Sequence, residues 1–351
     1  MVDEMEKGDS ISLFLRAAFL DELSDELRQA SQPIVTELCF LPLAVDQAGA
    51  AIASGLCDIH NYLQMYSMHH LELLDDPSFK GASKYGCAVY GTWDLSFMAI
   101  NARAVTGCNS VDAQAAESAI LILHTFAFLH YENIMEAILE QAAGACQESS
   151  HGDNVRCHLS QMASYPSCQL LQLDKEGSWD ALFFRKGIQV LLSFSLVKRG
   201  PSGTVYSVHP LVHSWSRDRM SKLDFQNMCY SASALLSCLI TLQFTSHDYA
   251  FCRTLIPHMN ANYQYAAAAG VIKAYNEDEC ENFALVYGES GYWKEAEKLY
   301  VQVMETRKRV LGEEHPDTLK GIGNLASTYW KQGYLKEADE NKFEGAWKGT
   351  S

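Results

Sequence analysis

His209 and His213 stand four residues apart, a spacing that puts two imidazoles on one helix face where they could share a metal ion. Pro210 between them, and the lack of a third carboxylate or thiolate nearby, argue against such a centre. Cys146, Cys157 and Cys168 sit with His151 and His158 in one stretch, but without the close Cys-x-x-Cys pairing of zinc modules, so they read as free thiols. No Gly-x-Ser-x-Gly elbow and no His-Glu-x-x-His pair occurs, and no Gly-x-x-x-x-Gly-Lys-Ser/Thr string that would cradle phosphates. No catalytic residue and no metal ligand is therefore expected. What does recur at a fixed interval is a set of small, aromatic and polar residues, Asn282 and Asn324 among them.

That interval is 42 residues. Gly291, Tyr292, Lys294, Glu295, Ala296 and Glu297 return as Gly333, Tyr334, Lys336, Glu337, Ala338 and Asp339, while Asn282, Ala284 and Tyr287 return as Asn324, Ala326 and Tyr329. Each unit reads as a helix, a Gly turn and a second helix. The small Ala284, Ala296, Ala326 and Ala338 permit close helix contact, with aromatics filling the space around them. A single hairpin cannot bury its own apolar face, so the units stack and leave a concave surface that suits an extended peptide. The second helix of the last unit runs into Phe343-Glu-Gly-Ala-Trp-Lys-Gly, a poor helix. The final hairpin, from His315 onward, is expected to be the least stable element and a site of self-association or partner capture, and residues 341–351 a disordered tail.

The elements upstream are helical as well. Ile11, Phe14, Leu15, Ala18, Phe19 and Leu23 fall at helical spacings, Pro33 ends that stretch and opens a helix with Ile34, Val35 and Leu38, and a third continues after Pro42. From Tyr85 to Leu139 the pattern stays helical, with Ala115–Leu129 dense enough to be buried nearly all round. Residues 144–178 read as an irregular insertion. Ala181–Leu192 reads as a helix, Phe194–Lys198 as a strand, Gly200–Gly203 as a turn and Val205–Val208 as the returning strand, so helices followed by a hairpin predict a winged helix.

The fold class expected is mainly α: a helical bundle in 1–80, a winged-helix-like domain in 81–222, a helical connector in 223–280 and α/α hairpins in 281–340. With 351 residues, 48% hydrophobic, the chain can build several small domains. A net charge of −16 argues against nucleic acid as a partner, because phosphate binding needs clustered Lys and Arg. The 11 scattered cysteines point to a reducing compartment, and with no secretory signal or membrane-length apolar run they predict a cytoplasmic chain without a membrane contact.

The repeats resemble the long-helix tetratricopeptide repeats of kinesin light chains, in which the segment His315-Pro-Asp-Thr-Leu is the inter-repeat link. That resemblance implies that Asn324 and Asn282 face a peptide groove and pair with ligand backbone. Upstream, Pro33-Ile-Val-Thr-Glu-Leu-Cys-Phe-Leu-Pro-Leu-Ala resembles the NB-ARC ATPase segment ending in Gly-Leu-Pro-Leu, with Phe40 in place of the Gly. Tyr206-Ser-Val-His-Pro-Leu-Val-His-Ser-Trp resembles the end of the NB-ARC winged helix. The match implies nucleotide-sensing roles for Pro42, toward adenine, and His209, toward diphosphate. The order of modules, from about Met5 to Lys336, is similar to fungal STAND receptors that join NB-ARC to tetratricopeptide repeats. Such a chain is expected to be a non-catalytic signalling protein with no cofactor of its own, contacting ADP or ATP only beside a separate P-loop domain and binding a protein or peptide ligand. The alternative is a plain scaffold or cargo adaptor with no nucleotide link.

Overall fold

Ser24, at the start of the second helix, accepts the Leu27 N–H through its hydroxyl and is followed by Asp25 and Glu26, the two acidic residues a helix N-terminus favours. In the computed structural model, which describes residues 5–53, 55, 57–75, 89–106, 110–148, 165–240, 246–270 and 277–333, this capped helix runs straight through Pro33. The sequence expectation of a break at Pro33 is corrected. Burying Ile34, Val35 and Leu38, each worth about 1.5–3 kcal/mol, offsets the hydrogen bond that the proline cannot donate.

The chain forms two compact units, each assembled from two segments: Met1–Ala127 with Leu182–Met220, and Phe128–Ala181 with Ser221–Ser351. In the first unit α1 (Lys7–Ala17), α2 (Asp25–Glu37), α3 (Pro42–Ala53), α4 (Tyr62–Asp75), α5 (Val89–Thr106) and α6 (Val111–Phe126) are joined by α8 (Ala181–Ser193), a two-stranded hairpin and α9 (Pro210–Asp218). Helices α1 and α3 pack face to face through Phe14, Leu15, Ala44, Val45 and Ala48, all essentially inaccessible. They meet at Gly49, where an added Cβ would lie 2.7 Å from the Phe14 carbonyl oxygen. Gly187 in α8 approaches α6 in the same way, 2.8 Å from the Ala119 nitrogen, and the Ser118 hydroxyl donates to the Phe183 carbonyl at 2.8 Å.

The hairpin pairs β1 (Lys198–Arg199) with β2 (Val205–Ser207) antiparallel, Lys198 opposite Ser207 and Arg199 opposite Tyr206. The first strand begins later than its apolar run suggests, because Ser195 takes φ 56° and Phe194–Val197 turns instead of extending. Phe126, Phe184 and Tyr206 form one aromatic cluster beneath the hairpin, at centroid separations of 5.8–6.4 Å.

The second unit is a series of helices. The helix α7 (Glu136–Glu148) reaches into the stretch expected to be irregular, and a 3₁₀ turn at Pro166–Leu171 follows. Then come α10 (Lys222–Cys238), α11 (Ser246–Ala268), α12 (Glu277–Glu289), α13 (Trp293–Leu311) and α14 (Pro316–Gln332). The pairs α12–α13 and α13–α14 are the most extensively packed. Gly291 and Gly333, 42 residues apart, both take φ near +85° at the same place in their units, a conformation that a Cβ penalises. The second helix of the final unit, from Tyr334, and the tail at 341–351 lie outside the described residues. Among the described residues no helix is long and apolar enough to cross a membrane.

Candidate functional site

The two asparagines singled out by the repeat lie at corresponding places on α12 and α14, and each is tied to a neighbouring helix of its own unit. Asn282 donates its amide to the Ser237 carbonyl at 3.3 Å and lies 3.0 Å from the Ser237 hydroxyl. Asn324 donates to Glu281 Oε1 at 3.3 Å. In this structure both amides therefore spend at least one N–H on tying their helix to the next but one before it, α12 to α10 and α14 to α12.

Glu281 is the hub of that arrangement. It accepts from Arg307 Nη2 at 2.8 Å and from Lys320 Nζ at 2.7 Å as well as from Asn324, while Arg307 also reaches Glu277 at 3.1 Å and the Asp317 carbonyl at 3.3 Å. The Arg307 side chain is only 7% exposed. Burial pushes the Glu281 carboxyl up, but the hydrogen bonds from Lys320 and Arg307 and their charges outweigh it and hold it below the ordinary carboxylate value. Sequence reasoning missed this cluster, since its members run from Glu277 to Asn324 across three helices, and the only sign of it was a buried-facing Arg in a helix otherwise rich in surface charge.

Pro42 is the first residue of α3, where its missing N–H costs nothing and its fixed φ suits the helix start. His209 is the N-cap of α9: Nδ1 accepts the Leu211 N–H at 3.2 Å, and Pro210 is the first helical residue. His315 does the same at α14, with Nδ1 accepting the Asp317 N–H at 3.2 Å and Pro316 following it. A His-Pro dipeptide thus caps a helix in each unit. His213 faces elsewhere and is buried; its Nε2 donates to the Phe126 carbonyl at 3.0 Å, and Arg217 lies 2.6 Å from Nδ1 while donating to the Ala127 carbonyl at 2.7 Å. His209 and His213 are therefore engaged separately, and among the described residues no three His, Cys, Asp or Glu side chains gather as a metal site. The side chains of Cys146, His151, Cys157 and His158 lie outside the described residues; Cys168 is a half-buried thiol whose pKa burial raises.

Helix α9 is clasped to α5. Trp215 donates its indole N–H to Asp94 at 3.2 Å, the Tyr90 hydroxyl donates to Asp218 at 2.9 Å, and the Arg219 guanidinium lies 3.4 Å over the Phe97 ring. These contacts fix the helix that His209 begins.

The α12–α13 hairpin, with Gly291 at its turn and α14 packed on it, has tetratricopeptide geometry, and residues 280–317, from α12 to the start of α14, match the tetratricopeptide repeat family. Over 328 residues the chain is 23% identical to a nucleotide-binding leucine-rich repeat (NLR)-like protein of Hyaloscypha variabilis, an alignment covering 91% of this chain and 28% of that relative. The chain thus spans little more than a quarter of the length of the curated relative it matches. No solved structure matches it.

Proposed function

We propose that this chain is a non-catalytic signalling or regulatory protein that resembles part of an NB-ARC/tetratricopeptide receptor and binds protein partners through its repeats. The observation that carries the reading is the α12–α13 hairpin, which falls within the matched tetratricopeptide segment and has α14 packed on it, in a chain whose similarity to an NLR-like protein extends over most of its length. In this reading the winged-helix-like hairpin and α9 belong to a regulatory half that responds to nucleotide only beside a P-loop domain. The repeats supply the partner surface around Lys320 and Asn324. ATP hydrolysis is outside its repertoire, since phosphate positioning and charge stabilisation make up most of such catalysis, and the chain has no P-loop string for them.

The test is affinity capture with the full chain as bait, run in parallel with an ATPase assay. The expected result is a protein partner whose recovery falls on Asn324→Ala, together with no turnover above buffer. Turnover of ATP or GTP that disappears on His209→Ala would overturn the non-catalytic reading, and recovery unchanged by Asn324→Ala would overturn the assignment of the surface. A second reading, a scaffold or cargo adaptor with no nucleotide link, is favoured by one observation: Pro42 and His209 both have sufficient structural duties at helix starts. Calorimetric titration of ADP into the chain mixed with a P-loop domain of an NB-ARC protein separates the two, heat of binding supporting the receptor reading and its absence the adaptor.

A further inference from the structure

Helix α11 carries a proline at its centre, Pro257, which cannot donate the i→i−4 hydrogen bond and so withholds the usual helical partner from the Arg253 carbonyl. Such a residue destabilises a helix interior. It sits on the floor of an open trough of about 780 Å³ in the second unit, bounded by α11, by His130–Tyr131 and by Ser290 and Tyr292 at the α12–α13 turn. The trough takes up one stripe of α11, at Arg253, Pro257, Asn260 and Gln264, spaced four, three and four residues apart.

The polar groups on that stripe are aimed and available. Tyr287 donates to Asn260 Oδ1 at 2.7 Å, which fixes the amide so that its NH₂ is the free end, with no partner among the described residues. The Arg253 guanidinium and the Gln264 amide also have none among them. Tyr292 is held edge-on against Tyr287, at a centroid distance of 6.2 Å, and forms one wall; Tyr131, stacked on His130 at 4.4 Å, forms another. Among the described residues no acidic side chain lines the trough, in a chain of net charge −16.

We propose that this trough is a second binding site, separate from the repeat surface around Asn324, and that it takes an extended acidic peptide. From Arg253 to Tyr265 the helix rises about 18 Å, the length of about five extended residues. Arg253 pairs with a carboxylate near one end of the ligand. The Arg253 carbonyl accepts a ligand backbone N–H, the Asn260 NH₂ donates to a ligand carbonyl, and Gln264 can do either. The tyrosine walls cover the intervening apolar side chains. An open trough of this length suits a peptide strand better than a compact metabolite, which needs enclosure on most sides.

Fluorescence anisotropy on the full chain tests this, using a fluorescein-labelled seven-residue peptide with two glutamates near one end and apolar residues behind them, against its glutamine counterpart. The acidic peptide should bind at least about tenfold more tightly than the neutral one, and Arg253→Glu, at an exposed position, should abolish that preference. Pro257→Ala returns a donor to the Arg253 carbonyl, so it should raise the melting temperature while weakening peptide binding, a pairing that a purely structural proline would not give. Circular dichroism confirms that each variant folds. Equal binding of both peptides, binding unchanged by Arg253→Glu, or Pro257→Ala that stabilises without weakening would each overturn the proposal, as would ADP displacing the peptide at comparable concentration, which would make the trough a nucleotide site. Asn324→Ala should leave the peptide affinity intact, so failure of this site and failure of the repeat surface are read independently.

Discussion

Replacing His258 by Gln should remove about 2 kcal/mol of acid sensitivity from the second unit. His258 is 1% exposed in α11; its Nδ1 accepts the His130 N–H at 3.1 Å and its Nε2 donates to the Asn133 carbonyl at 3.3 Å. The neutral imidazole satisfies both groups, whereas a proton on Nδ1 would face the His130 N–H. Burial lowers its pKa from 6.5 to about 4, with the Asn133 hydrogen bond opposing and the charge of His130 adding to the fall. Since the folded value lies below the unfolded one, the unfolded state binds more protons between pH 6.5 and 4. Stability is then full above pH 6.5 and declines as the pH drops through that window. The complete shift corresponds to about 3 kcal/mol, of which about 2 kcal/mol is lost by pH 5, before most carboxylates titrate. Gln keeps one donor and one acceptor and cannot be protonated there. The assay is urea unfolding at pH 7 and pH 5, with hydrogen exchange of the 249–268 segment to assign the change to α11. Wild type should lose markedly more stability than His258→Gln over that interval; equal losses, with both proteins folded at pH 7, would refute the linkage.

Removing the Glu281 carboxylate should destabilise the repeat stack by about 3 kcal/mol, because Arg307 is left largely buried without its closest partner and Lys320 and Asn324 lose theirs; a change below about 0.5 kcal/mol in chemical denaturation would contradict the hub. His209→Ala and His315→Ala should each cost about 1 kcal/mol, recovered by Ser or Asp at the same position, as expected for helix caps; failure of Ser and Asp to restore thermal stability would remove the capping account.

Much of the helical plan is legible because it rests on local chemistry. The glycines at 291 and 333 announce their turns, and the dense apolar block ending at Leu129 is buried except for single faces such as Glu117. The errors arise where local signals compete with packing. Pro33 looks like a stop, yet the apolar residues after it hold α2 together; Phe194–Val197 looks like a strand, yet Ser195 turns the chain. The site is less legible. The partner of Asn282 is 45 residues away and that of Asn324 is 43, so no spacing rule could pair them. The trough joins three separated segments, and its one sequence signal, a proline eleven residues into α11, reads as a helix breaker until the helix is seen to continue.

Gly49 and Gly187 carry a consequence for tracing the ancestry of this chain. At 23% identity, most aligned columns with a relative are uncertain by themselves. At these two positions an added carbon would fall within 3 Å of backbone on the facing helix, so drift cannot change the residue without moving two helices apart. They act as fixed pegs for alignment. A distant sequence that places any other residue at either peg has been threaded in the wrong register, or belongs to a lineage that has reset the α1–α3 or α6–α8 crossing.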